Sequence, residues 1–101
     1  MMATEYQLRQ YVVEDGKWDE FLGIFPEVVQ VRKEVGFDVV GVWTVQDERR
    51  FIWIVSTDHP DGIEGASEVY YHSPGRKAIT PEPATLLSEI STTTMAALQG
   101  I

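Results

Sequence analysis

The segment from Phe37 to Ser56 constrains the fold most strongly, because it predicts a β-hairpin with two apolar faces. It consists of FDVVGVWTV, the charged turn QDERR and FIWIVS, and its β-branched and aromatic residues favour strands. A sheet with one face in water alternates apolar and polar residues, and these two strands barely do so. A chain of 101 residues can cover one face with its own helices. The pattern therefore predicts that a partner covers the other face.

The segments around the hairpin predict the order strand, helix, strand, strand, helix, strand. The outer strands are predicted over residues 6–13 and 86–95, and the first helix over residues 17–35 with a kink or break at Pro26. A weaker second helix begins at Pro60, and Ser73 caps a short turn. This order is typical of a ferredoxin-like α+β fold, a four-stranded antiparallel sheet with two helices on one face. We expect one domain spanning residues 1–101, which dimerises through the sheets into an α/β barrel.

Composition excludes several classes of function. The formal net charge is −8, which argues against binding to nucleic acid or anionic membranes. The chain contains no cysteine, and its two histidines lack the spacing of a metal motif. No phosphate loop or flavin fingerprint is present. We therefore expect no metal, no cofactor and no membrane span, and a cytoplasmic location.

Four segments carry a resemblance to a known family: YQLRQYVVEDGKWDEFL, FDVVGVWTV, RFIWIVSTD and YYHSPGRK. Together they resemble the NIPSNAP family, a branch of the dimeric α/β-barrel superfamily. Gly75 departs from relatives that carry an acidic residue after the proline. The resemblance implies a homodimer joined sheet to sheet, with the helices outside. The wider superfamily includes cofactor-independent monooxygenases, polyketide cyclases, lactone isomerases and haem-degrading enzymes, so the resemblance alone implies no single mechanism.

Two histidines are the candidates for catalysis. His59 follows the third strand and His72 lies near the end of the second helix. Either imidazole could transfer protons near neutral pH. The structural alternatives are a helix cap for His59 and a favourable interaction with the helix macrodipole for His72.

Aromatic residues and one arginine complete the candidate sites. Tyr6, Trp18, Tyr70 and Tyr71 are expected to contact a ligand between sheet and helices, although aromatics at such spacing are often plain core. The dimer interface is expected to contain Arg9, Tyr11, Trp43 and Trp53. Arg9 lies in mid-strand among apolar neighbours, so it needs a carboxylate partner there. An interface ion pair is favoured for Arg9 over a clamp for a substrate carboxylate.

The leading functional prediction is a dimeric protein that holds a small, largely apolar molecule in the cleft between sheet and helices. The first alternative is an enzyme, either a cofactor-independent monooxygenase or a polyketide cyclase-like protein acting on an aromatic or polyketide substrate. The second alternative is a structural dimer whose cleft is filled by its own side chains.

Overall fold

A computed structural model describes residues 4–100, and these form the predicted ferredoxin-like α+β fold. The strands are β1 (Glu5–Val13), β2 (Phe37–Val45), β3 (Arg50–Thr57) and β4 (Leu87–Ala96). The helices are α1 (Trp18–Glu34), α2 (Gly62–His72) and the single turn α3 (Pro74–Lys77). The antiparallel sheet has the order β2-β3-β1-β4, with the helices packed on one face.

The core lies between that face and helix α1. Phe25 packs against Phe51 with ring centroids 4.5 Å apart, and against Trp53 at 4.9 Å, both edge to face. Phe21 contacts Phe51 in the same way at 5.1 Å. Such pairs contribute about 0.5–1.5 kcal/mol each beyond the area that they bury. The aromatic cluster therefore fixes α1 against β3.

Local sequence signals place most element ends correctly. Helix α1 ends before Gly36, whose φ of 102° is the left-handed conformation that a C′ glycine adopts. The Ser73 side chain accepts a hydrogen bond from the Arg76 N–H, as predicted for the cap of α3. Helix α1 continues through Pro26 without a break. Helix α2 begins at Gly62 rather than Pro60, and its apolar residue Val69 is 46 % exposed.

The face predicted for three residues is wrong. Arg9, Tyr11 and Trp53 lie under the helices, with exposed fractions of 6 %, 7 % and 0 %, so they cannot form an interface on the outer face. Strand β3 is apolar on both faces, and the side of β1 under the helices carries the polar residues Gln7 and Arg9, so alternation did not show which face the helices cover. Arg9 also finds neutral partners in place of the carboxylate that was expected.

The outer face carries the side chains that alternate along each strand with those buried under the helices. Trp43 pairs with Ile52, whose neighbours Phe51 and Trp53 are buried under the helices, so Trp43 points outward and is 49 % exposed. A register shift between Val39 and Gly41 marks a bulge in β2, which changes the side to which later residues point. We define the outer sheet face by its apolar residues: Tyr6, Leu8, Val12, Trp43, Val45, Ile52, Ile54 and Met95.

Within residues 4–100, no helix is both long enough and apolar enough to cross a membrane.

Candidate ligand-binding cleft

A cleft of about 290 Å³ lies between the helices and the β1–β4 side of the sheet. Its walls are mainly apolar and come from α1, β1 and β4: Tyr11, Phe21, Phe25, Val28, Leu87 and Ile90. Its polar groups are three arginines, Lys77, Glu82 and the adjacent tyrosines of α2. A mostly apolar concavity with a few convergent polar groups is the usual form of a small-molecule site.

Arg9 enters the cleft from mid-strand β1, where three neutral groups hold its guanidinium. Its Nε donates to the Tyr11 hydroxyl at 2.8 Å, and its Nη1 donates to Gln7 Oε1 at 2.7 Å. Its Nη2 donates a longer bond to the Tyr71 hydroxyl at 3.4 Å. Burial lowers the pKa of Arg9, but the two phenols outweigh this effect and leave its pKa above the ordinary value. Arg9 is therefore a buried, oriented cation.

Arg32 enters from α1 and is 1 % exposed. Its guanidinium carbon lies 4.0 Å from the centroid of the Tyr70 ring, 4.8 Å from Phe37 and 5.4 Å from Trp53. Ring faces attract a cation. Nevertheless, the buried Nε and Nη1 of Arg32 have no hydrogen-bond partner among the described residues. Burial lowers the pKa of Arg32, and the charge of Arg9 lowers it further.

The pKa values of the adjacent tyrosines of α2 are shifted in opposite directions. Burial raises the pKa of Tyr70, which is 1 % exposed. Burial also acts to raise the pKa of Tyr71, but the charges of Arg9 and Arg32 outweigh it and leave that pKa below the ordinary value. Tyr71 is 45 % exposed, so its ring lies where solvent meets the cleft.

Arg76 and Glu82 form an ion pair at the cleft. Arg76 Nη1 donates to Glu82 Oε2 at 2.9 Å, and Nη2 donates to Oε1, so the pair is bidentate. The Glu82 side chain is half exposed. Hydrogen bonding to Arg76 lowers the pKa of Glu82 despite the opposing effect of partial burial. This pair joins α3 to the loop before β4.

Two of the predicted ligand residues reach the cleft, and the others do not. Tyr70 and Tyr71 line it, whereas Tyr6 lies on the outer sheet face and Trp18 packs at the start of α1. Ligand contact by Tyr70 and Tyr71 stays a prediction. The expected placement of Tyr6 and Trp18 in the cleft is wrong. The Tyr6 side chain lies on the opposite face of the sheet, and Trp18 is the first residue of α1, outside the cleft lining.

The two histidines also lie outside the lining of the cleft. His59 Nδ1 accepts a hydrogen bond from the Asp61 N–H at 3.0 Å, a local turn contact before α2. His72 is exposed at the end of α2. Both positions fit the structural alternatives and lie away from the cleft, and catalysis by either histidine stays a prediction. Within residues 4–100, no three His, Asp or Glu residues are grouped as metal ligands would be.

The sequence interpretation missed Arg32 and Arg76. Arg32 has the charge typical of a surface residue, yet it follows Phe21, Phe25 and Val28 at the spacing of their buried stripe. That spacing was the available signal, and the charge of the residue obscured it. Arg76 is buried through α3 and its pair with Glu82, which no periodic pattern indicates.

Comparison with known proteins supports the fold. No family model matches the sequence, and a search of the curated proteins finds no significant match. A NIPSNAP domain protein from Burkholderia xenovorans has a TM-score of 0.79 at 19 % identity, covering 96 % of this chain and 97 % of that one. A NIPSNAP family protein from Agrobacterium tumefaciens has a TM-score of 0.85 at 12 % identity, covering 100 % and 91 %.

A further solved structure broadens the class. A protein from Nitrosomonas europaea, named as a candidate antibiotic biosynthesis monooxygenase, has a TM-score of 0.70 at 13 % identity, covering 99 % of this chain and 95 % of that one. The chain therefore has the ferredoxin-like α+β fold of these proteins. Within that class it is similar to NIPSNAP family proteins, which confirms at the level of fold the resemblance indicated by the sequence.

Proposed function

We propose that this protein binds a small, largely apolar molecule in the cleft between sheet and helices. The observation that carries the proposal is the cleft itself, about 290 Å³ with aromatic and aliphatic walls around oriented polar groups. A cleft filled by its own side chains, the structural alternative, would leave no such volume. The solved structures of this fold include proteins from a small-molecule enzyme class, named as candidate antibiotic biosynthesis monooxygenases.

The test is an NMR titration with benzyl alcohol, a neutral apolar probe. Ligand binding predicts amide shifts centred on Tyr11, Phe25 and Tyr70. Ile90 is 51 % exposed where it lines the cleft, so Ile90→Trp should obstruct entry at little cost to stability. Leu22→Trp is the matched control, because Leu22 is an exposed apolar residue of α1 outside the cleft lining. Equal binding by both variants, or shifts confined to the outer sheet face, would contradict the proposal.

The same proposal includes a homodimer formed through the outer sheet face. This face carries eight apolar side chains, and Trp43 among them is 49 % exposed in the monomer. A stable interface buries at least about 1,200 Å² in total. Light scattering at micromolar concentration tests the assembly, and a monomer would contradict it. A cytoplasmic location also belongs to the proposal, and cell fractionation tests it.

Catalysis is the second candidate, and one observation favours it. The pKa of Tyr71 is lowered at the cleft by Arg9 and Arg32, and shifted groups in clefts are often catalytic. Proton transfer would then fall to Tyr71 rather than to either histidine. The measurement is oxygen uptake with an aromatic polyketide, comparing the wild type with Tyr71→Phe and with His72→Ala as control. Loss of turnover in Tyr71→Phe alone is the expected result, and equal turnover in all three would remove Tyr71 from the reaction.

A further inference from the structure

The cleft carries an excess of positive charge within an acidic protein. The chain has a formal net charge of −8, yet the cleft contains Arg9, Arg32, Arg76 and Lys77 against the single carboxylate of Glu82. Glu82 is already paired with Arg76. Among the described residues, Arg9 and Arg32 have no carboxylate partner. The site thus holds two buried cations without a counterion from residues 4–100.

Arg32 supplies the strongest indication of a missing partner. Buried side-chain donors almost always have hydrogen-bond acceptors, and leaving one without an acceptor costs about 1–3 kcal/mol. The Nε and Nη1 of Arg32 lack acceptors although the residue is 1 % exposed. The rings of Phe37, Trp53 and Tyr70 stabilise its charge but offer only weak acceptance to an N–H group. An oxygen anion would satisfy both the donors and the charge.

Arg9 also favours an anion in the cleft beside Arg32. Its donors reach only neutral oxygens, so its charge is oriented without being neutralised. Arg9 and Arg32 repel each other, since the charge of Arg9 lowers the pKa of Arg32. An anion bound near both guanidinium groups would reverse that effect, because an opposite charge favours the ionised form. Guanidinium groups also match the planar geometry of a carboxylate.

The apolar walls of the cleft limit the rest of the ligand, the part that carries the anionic group. Phe21, Phe25, Val28 and Ile90 present hydrocarbon to the cleft. A volume of about 290 Å³ lies at the lower end of the range for small-molecule sites. It suits one ring or a short aliphatic chain with a single polar head.

We propose that the cleft binds small apolar carboxylic acids, with the carboxylate at Arg32 and Arg9 and the hydrocarbon against the phenylalanines of α1. This inference rests on the proposed function and specifies its ligand class. Anion binding explains why an arginine stands in the apolar stripe of α1. A hydrophobic residue at position 32 would pack there without leaving buried N–H donors unpaired.

The experiment is calorimetric titration of the full chain with phenylacetate and with its neutral analogue phenylacetamide. The wild type should bind the acid at least about tenfold more tightly than the amide, the difference expected for hydrogen bonds to a charged group. Arg32→Met keeps a long apolar side chain and should remove this selectivity while leaving the thermal midpoint equal or higher. Lys33→Met, at the exposed neighbouring position of α1, removes the same charge and should keep the selectivity.

Each contrary result has a distinct meaning. If the wild type binds the amide as tightly as the acid, the carboxylate inference is overturned while the proposed function stands. If neither phenylacetate, phenylacetamide nor benzyl alcohol binds, both are overturned. Equal weakening of acid and amide by Arg32→Met would assign Arg32 a structural role and overturn its part in anion recognition. Tighter binding of phenyl phosphate than of phenylacetate would overturn the choice of a carboxylate.

Discussion

Replacing Trp43 by glutamate should dissociate the proposed dimer. Trp43 is 49 % exposed on the outer sheet face, and a Trp side chain has at most about 250 Å² to bury. About half of that area, at about 25 cal/mol per Å², is worth about 3 kcal/mol in each protomer. A two-fold dimer contains Trp43 twice, so Trp43→Glu should weaken association by up to about 6 kcal/mol, or about 10⁴-fold.

Sedimentation equilibrium measures this change directly. Val69→Glu is the control, because Val69 has a similar exposed fraction of 46 % but lies on α2, on the opposite side of the sheet. We expect Trp43→Glu to be a folded monomer and Val69→Glu to remain dimeric. If Trp43→Glu remained dimeric, or if Val69→Glu dissociated instead, association would not use the outer sheet face, and the reasoning from its apolar residues would be refuted.

Three further perturbations test the local physics. Pro26→Ala should be tolerated or raise the thermal midpoint by a few degrees in calorimetry, because Pro26 is an exposed interior residue of α1 that donates no backbone hydrogen bond; a large decrease would indicate that its ring is packed. In an alkaline absorbance titration, Tyr71 should ionise below the ordinary tyrosine pKa of about 10 and Tyr70 above it, and Tyr71→Phe should remove the earlier phase; a single phase that persists in the variant would contradict the opposed shifts. The folded-state pKa of Glu82 is depressed, so its stabilising pair with Arg76 is present above the unfolded pKa and is lost as pH falls through the folded value; Glu82→Gln should flatten the acid limb of stability against pH, and an unchanged limb would show that the pair contributes nothing measurable.

The fold could be predicted because its signals are local and mutually consistent. The β-branched and aromatic strands, the stripe of α1, Gly36 and the Ser73 cap each indicate one element, and their order allows few topologies. The choice of face could not be predicted. In β1 the side under the helices carries Gln7 and Arg9 and the outer side carries Leu8 and Val12, so the pattern of this strand favours burial of the wrong face.

The candidate site was less accessible to sequence reasoning, because it depends on buried charge. Periodicity arguments treat arginine as a surface residue, so they do not place Arg32 in the core although its spacing matches the buried stripe of α1. Arg9 was recognised as unusual but was assigned to the wrong face. The sequence directs attention to the histidines because imidazoles commonly transfer protons, whereas the polar groups of the cleft are mainly arginines and tyrosines.

The most direct test of the central claim is the side-chain ¹⁵Nε–H signal of Arg32 during a titration with phenylacetate. A ligand carboxylate held in the cleft should accept a hydrogen bond from this guanidinium, whose Nε has no acceptor among the described residues. The account predicts a large, saturable shift of this signal with phenylacetate, in the wild type and equally in a Tyr6→Phe control on the outer sheet face, and little change with phenylacetamide. An Arg32 signal that stays unchanged while phenylacetate binds elsewhere would contradict the account.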